Sequence, residues 1–141
     1  AQEELKDTHY FIIKLHPHTQ VHTEGTNCDI PSEELLPVAD IVITDYSSIL
    51  FDAMIYQLPL VLFAPDLEEY LDNRGFYLDY HTLPGIHIQK EEQLVKVLSD
   101  EARLNSSVNQ KYHDFFQDYM AACDGHATRR IMDYVSKSPN K

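Results

Sequence analysis

The stretch DIVITDYSSILFDAMIYQLPLVLFAP, residues 40–65, constrains the fold more than any other part of the chain. Ile41, Val42, Ile43 and Thr44 are β-branched in series, which suits a pleated strand. The next segment follows with no Gly or Pro between. Its Ile49, Leu50, Phe51, Ala53, Met54 and Ile55 wrap nearly all around a helix, so that helix must be buried on most sides. A second apolar strand, LPLVLFAP (58–65), comes directly after. Two strands joined through a helix form a parallel pair, not a hairpin.

The rest of the chain extends that pattern. YFIIKLH (10–16) reads as a strand, TQVHTEG (19–25) as a weak edge strand, and PSEELLPVA (31–39) as a short helix with Ser32 as its cap. DLEEYLDNRG (66–75) is a helix closed by Gly75, and FYLDY (76–80) a short edge strand. KEEQLVKVLSD (90–100), SVNQKYHDFFQDYMAAC (107–123) and HATRRIMDYV (126–135) are helices. In the second of these, Val108, Tyr112, Phe115, Phe116, Tyr119 and Met120 form a core-facing stripe. The predicted fold class is α/β, a parallel sheet flanked by helices with a helical C-terminal segment. One domain over 1–135 and a disordered tail over 136–141 complete the reading, with AQEELKD as the end of an earlier helix.

Charge narrows the ligands. Eleven Lys+Arg against 23 Asp+Glu give a net charge of -12, which repels nucleic acid and anionic lipid surfaces. A phosphate ligand must then be held locally, by backbone amides and a few placed side chains. Cys28 and Cys123 form no CxxC motif; one disulfide between them is possible, and two reduced thiols are the favoured reading. No apolar run approaches the roughly 20 residues that span a bilayer.

Ligands of a doubly wound sheet sit outside the carboxyl ends of its strands. TDYSS (44–48) lies at one such end, with Ser47 or Ser48 capping the buried helix. Free helix amides and two hydroxyls there favour an anion; the plain alternative is a cap beside a solvated Asp45. HPH (16–18) ends another strand. A zinc site using His16, His18, His22 and Cys28 is disfavoured, because structural zinc uses closely paired cysteines. A turn histidine, or one donating to a phosphate, remains. Glu68 and Glu69 could accept from ribose hydroxyls. Gly125 precedes a helix carrying Arg129 and Arg130, which read as a second anion contact or as solvated charges. Neither a Walker loop nor GxGxxG is present.

In their order, KLHPHT, LLPVADIVITDYSSILFDAMIYQLPLVLFAPDLEEYLDNRGFYLDY, LPG and DGHATRRI resemble the CDP-glycerol glycerophosphotransferase family, the teichoic acid primases and polymerases. The resemblance runs from about residue 10 to 135. It implies a GT-B enzyme of which this chain is most of the Rossmann-like C-terminal, nucleotide-binding half. It implies a CDP-glycerol or CDP-ribitol donor, a lipid-linked polyol-phosphate acceptor, release of CMP, no cofactor and no essential metal. His16 is then the catalytic residue and holds the pyrophosphate with Ser47 and Ser48, while Asp45 orients the turn. Gly125 with Arg129 or Arg130 matches the family's late helix start.

Set against the family pattern, a first central strand and the acceptor-binding N-terminal domain are expected ahead of Ala1. The expectation is that this chain alone turns nothing over, and that the whole enzyme works at the inner face of the cell membrane. A homo-oligomer is compatible with the pattern. Competing readings are a GT-B transferase using a UDP-sugar and a non-catalytic assembly module.

Overall fold

A computed structural model of the chain describes residues 1–14 and 28–137. The elements in order are α1 (Gln2–Leu5), α2 (Ser32–Leu35), a 3-10 turn (Leu36–Val38), β1 (Val42–Thr44), α3 (Ile49–Ile55), β2 (Leu60–Phe63) and α4 (Leu67–Arg74). A second 3-10 turn (Tyr80–Thr82) leads to β3 (Ile86–Ile88), followed by α5 (Glu91–Leu98), α6 (Glu101–Ser107), α7 (Gln110–Met120) and α8 (Ala127–Lys137).

The three strands form one sheet in the order β1-β2-β3, and both pairings are parallel. Val42 pairs with Leu60, and Val61 with Ile86. β2 is the central strand, and its sequence shows why. Leu60 and Leu62 enter a core with α3, α7 and the 76–83 segment, while Val61 enters a second core with β3, α5 and α6. Residues that alternate between faces are therefore apolar on both, the mark of a sheet covered on two sides. All three are fully buried. The α/β expectation, a parallel sheet flanked by helices, is borne out.

The aromatic stripe on α7 is core in part: Val108, Phe116 and Met120 are half-buried, and Tyr119 at its end is 53% exposed. Tyr112 and Phe115 are buried, and the Tyr112 hydroxyl donates to the Leu58 carbonyl at 3.0 Å. Phe115 stacks on Phe51 of α3 with ring centres 6.1 Å apart.

Three local expectations are corrected. Residues 10–14 of the first predicted strand make one isolated bridge at Ile13, where Cys28 N–H donates to the Ile13 carbonyl at 3.2 Å, and do not join the sheet. A strand needs a neighbour for its backbone groups, and β1 meets β2 alone among the described residues. FYLDY is not a strand either. The Asp79 carboxylate accepts from His81 N–H at 3.0 Å, and Thr82 Oγ1 donates to the Asp79 carbonyl at 2.7 Å, so local bonds curl the segment into a 3-10 turn. The third strand is instead Ile86–Ile88. Its entry needs Gly85, which sits at φ +115 where an added Cβ would lie 2.8 Å from both Leu60 Cβ and the Leu60 carbonyl oxygen. α8 also continues through Ser136 and Lys137, residues assigned to the tail by pattern. The predicted edge strand at 19–25 lies outside the described residues.

Candidate functional site

The carboxyl end of β1 runs through Asp45 and Tyr46 into Ser47, Ser48 and α3. The turn is held from inside. α3 buries Leu50, Ala53 and Met54, so its start cannot move without disturbing the core. The residues facing outward are Asp45, Ser47 and Ser48, all exposed.

Ser48 occupies the N-cap position but its side chain makes no capping bond. Ser47 does that work: its Oγ accepts from Ile49 N–H at 3.3 Å, a short local turn. Leu50 and Phe51 N–H are satisfied by the carbonyls of Ser47 and Ser48, at 3.4 and 3.0 Å. The helix amides expected to be free are thus used. The N–H groups of Ser47 and Ser48 and the Ser48 hydroxyl have no partner among the described residues, and these are the donors the turn presents. The Asp45 carboxylate accepts from Tyr46 N–H at 2.6 Å, a bond that tightens the turn.

A network missed by sequence reasoning supports the turn from below. Tyr46 donates to Asp66 Oδ1 at 2.7 Å, and its ring stacks on Tyr70 at 3.6 Å and 9°. Tyr80, 2% exposed, donates to the Asp45 carbonyl at 3.2 Å. Burial, with the neighbouring carboxylates adding to it, raises the Tyr80 hydroxyl to about 12 and Tyr46 higher still. Both stay protonated donors at neutral pH. The only hint in sequence is a tyrosine inside TDYSS; its partners lie 20 and more residues away.

The other predicted residues are less gathered. Glu68 and Glu69 sit exposed in the first turn of α4; Asp66, at that helix's N-cap, is the acidic residue tied to the turn. Arg130 donates to both carboxylate oxygens of Asp124 at 2.8 Å and to the Ala122 carbonyl at 2.6 Å, so it locks the DGH turn. That contact, with His126 N–H, holds the Asp124 carboxyl below its usual range. Gly125 provides the positive φ of 77 that the turn requires. Arg129 is exposed, and its side chain makes no hydrogen bond among the described residues. No hydrogen bond or ion pair joins α8 to the TDYSS turn among the described residues. His16 lies outside the described residues. No group of three or more His, Cys, Asp or Glu able to hold a metal occurs among those described, and none of the described helices is long and apolar enough to cross a membrane.

A cavity of about 260 Å³ opens on the far side of Tyr80, at the carboxyl ends of β2 and β3, lined by Leu62, Ala64, His81, His87 and Gln93 among others. His87 bonds through Nε2 to the Leu83 carbonyl at 2.9 Å, and burial lowers its pKa.

With this geometry in place, the chain can be set beside known proteins. Residues 1–137 match the family model described as CDP-Glycerol:Poly(glycerophosphate) glycerophosphotransferase. The chain belongs to that family. Among its relatives, the teichoic acid poly(ribitol-phosphate) polymerase of Bacillus spizizenii is 30% identical over 94% of this chain and 22% of its own length. The teichoic acid glycerol-phosphate primase of the same organism is 27% identical, over 99% of this chain and 38% of its own. A structure of a histidine variant of the wall teichoic acid polymerase TagF superposes with TM-score 0.71 at 28% identity, covering 96% of this chain and 36% of that one. Another, a TagF variant with CDPG, gives 0.62 at 33% identity, over 74% and 26%. The chain therefore spans 22% and 38% of the length of these two curated relatives.

Proposed function

We propose that this chain is the donor-binding part of a glycerophosphotransferase that moves glycerol phosphate from CDP-glycerol to a polyol-phosphate acceptor and releases CMP. The observation that carries the reading is the TDYSS turn, in a member of this family. It stands at a strand's carboxyl end with two backbone N–H groups and one hydroxyl unengaged among the described residues. Unengaged donors at such a position suit a phosphate.

The chemistry follows from charge. An acceptor hydroxyl oxygen attacks the β-phosphorus, and the bond from that phosphorus to the bridging oxygen breaks. CMP leaves with the electron pair. Donors fixed beforehand on the turn stabilise the charge that grows on the departing phosphate, and need no rearrangement to do so. Ser48 and the Ser47 amide bind; Asp45 tightens the turn; His16 is the residue proposed to complete the pyrophosphate site and to give a proton to the leaving group. The acceptor, its base and the inner membrane face belong to the whole enzyme. With a net charge of -12, this portion is not its anchor.

The test is calorimetric titration of the full-length protein with CDP-glycerol, CDP and a UDP-sugar, alongside CMP release on a polyol-phosphate acceptor. Saturable CDP-glycerol binding with CMP release is expected. A preference for the UDP-sugar, or no nucleotide binding, would remove the proposal.

A further inference from the structure

Tyr80 is buried between the TDYSS turn and the cavity it lines. Its ring meets Phe76 edge-on at 5.7 Å and His87 edge-on at 5.5 Å, and packs at a tilt against Tyr46 at 5.6 Å. The hydroxyl reaches one polar atom, the Asp45 carbonyl, 35 residues earlier in the chain. A buried hydroxyl without a partner is costly, so this contact fixes the distance between the 3-10 turn and the end of β1.

The approach to Tyr80 is itself rigid. The Asp79 carboxylate caps the 3-10 turn, and Gly85 presses the following segment against Leu60 on the central strand. Position therefore passes from β2 through Tyr80 to Asp45, two residues before Ser47. Tyr46 is held separately by Asp66 and Tyr70. The serines themselves carry no tether to the 3-10 turn or to α4. Their placement is set by α3 on one side, through the bonds its first amides make to them, and by Asp45 and Tyr46 on the other.

We infer that Tyr80 is a positioning residue of the transfer reaction: by donating to the Asp45 carbonyl it sets the height and tilt at which Ser47 and Ser48 meet the donor phosphate. This rests on the phosphate-binding reading of the TDYSS turn. The hydroxyl does not touch the donor; it acts through the backbone of the turn.

The test is Tyr80→Phe in the full-length enzyme, which keeps the ring and its packing and removes one donor. The expected result is a kcat/KM for CDP-glycerol about fivefold to tenfold lower, an acceptor KM unchanged, and a thermal midpoint within about 4 °C of wild type. A general loss of folded protein would lower kcat alone and leave both KM values in place. Tyr112→Phe is the control, since it removes a comparable bond to the Leu58 carbonyl far from the turn, and it should leave donor kcat/KM unchanged. Wild-type donor kinetics in Tyr80→Phe, or equal losses in both variants, would overturn the inference while leaving the function intact. Absence of CDP-glycerol turnover in wild type would overturn the functional reading first, and the inference with it.

Discussion

β1 and β2 are neighbours in one sheet, joined by a parallel ladder, yet they live in different surroundings. β2 is closed on both faces: Leu60, Val61 and Leu62 are each 0% exposed. β1 is half open, with Val42 and Thr44 partly buried and Ile43 36% exposed. The candidate site belongs to the open strand. Stability is concentrated in β2 and its two cores, while β1 carries the polar turn at its end. The tyrosine network is what lets the looser strand present a fixed turn, because it ties that turn to the segments flanking β2.

Substitutions in the two strands should separate sharply. Leu62→Ala deletes a fully buried side chain between α3 and α7 and should cost about 2–5 kcal/mol in urea unfolding. Ile43→Ala should cost less than about 1 kcal/mol by the same measurement, because that side chain is already a third exposed. Comparable losses would break the contrast. Gly85→Ala comes next: the new Cβ meets Leu60 backbone and the positive φ is strained, for a loss of at least about 2 kcal/mol. A midpoint equal to wild type would show that the β3 entry is looser than the contact implies.

pH probes the closed side. His87 is held neutral by burial, so its folded pKa lies below the ordinary 6.5. The unfolded chain takes up the proton first as pH falls. The contribution of His87 is therefore complete above about 6.5 and is lost below it, toward the depressed folded value. Thermal midpoints of wild type should fall faster between neutral and acid pH than those of His87→Gln; parallel curves would contradict this. Smallest is Gln57→Gly, just after α3. Gln57 sits at φ 55, where glycine is unstrained, so the variant should gain about 0.5–1 kcal/mol.

Much of this was legible in sequence where signals were long. Residues 40–65 announce strand, buried helix and strand because apolar side chains run through each without interruption. TDYSS is legible as a candidate site because strand-end geometry follows from topology. β3 escaped notice because three residues, Ile86, His87 and Ile88, are too few to show a period, and their strand exists through pairing with β2. FYLDY looked like a strand by composition, but Asp79 offered the backbone a local bond that no propensity scale contains. Arg130 looked like an anion contact until Asp124 claimed it. The Tyr46–Asp66 and Tyr80–Asp45 bonds join positions 20 and 35 residues apart, and only the folded chain brings them together.

Ser48 is the residue that most directly reports whether the TDYSS turn holds the donor's phosphates. Its hydroxyl makes no bond within the described residues, so Ser48→Ala removes a ligand contact and little else. CMP release from CDP-glycerol should be measured in the full-length enzyme beside the thermal midpoint. Turnover should fall roughly 100-fold or more, as for loss of a preorganised donor, at an unchanged midpoint. Wild-type turnover in that variant would contradict that role for the turn.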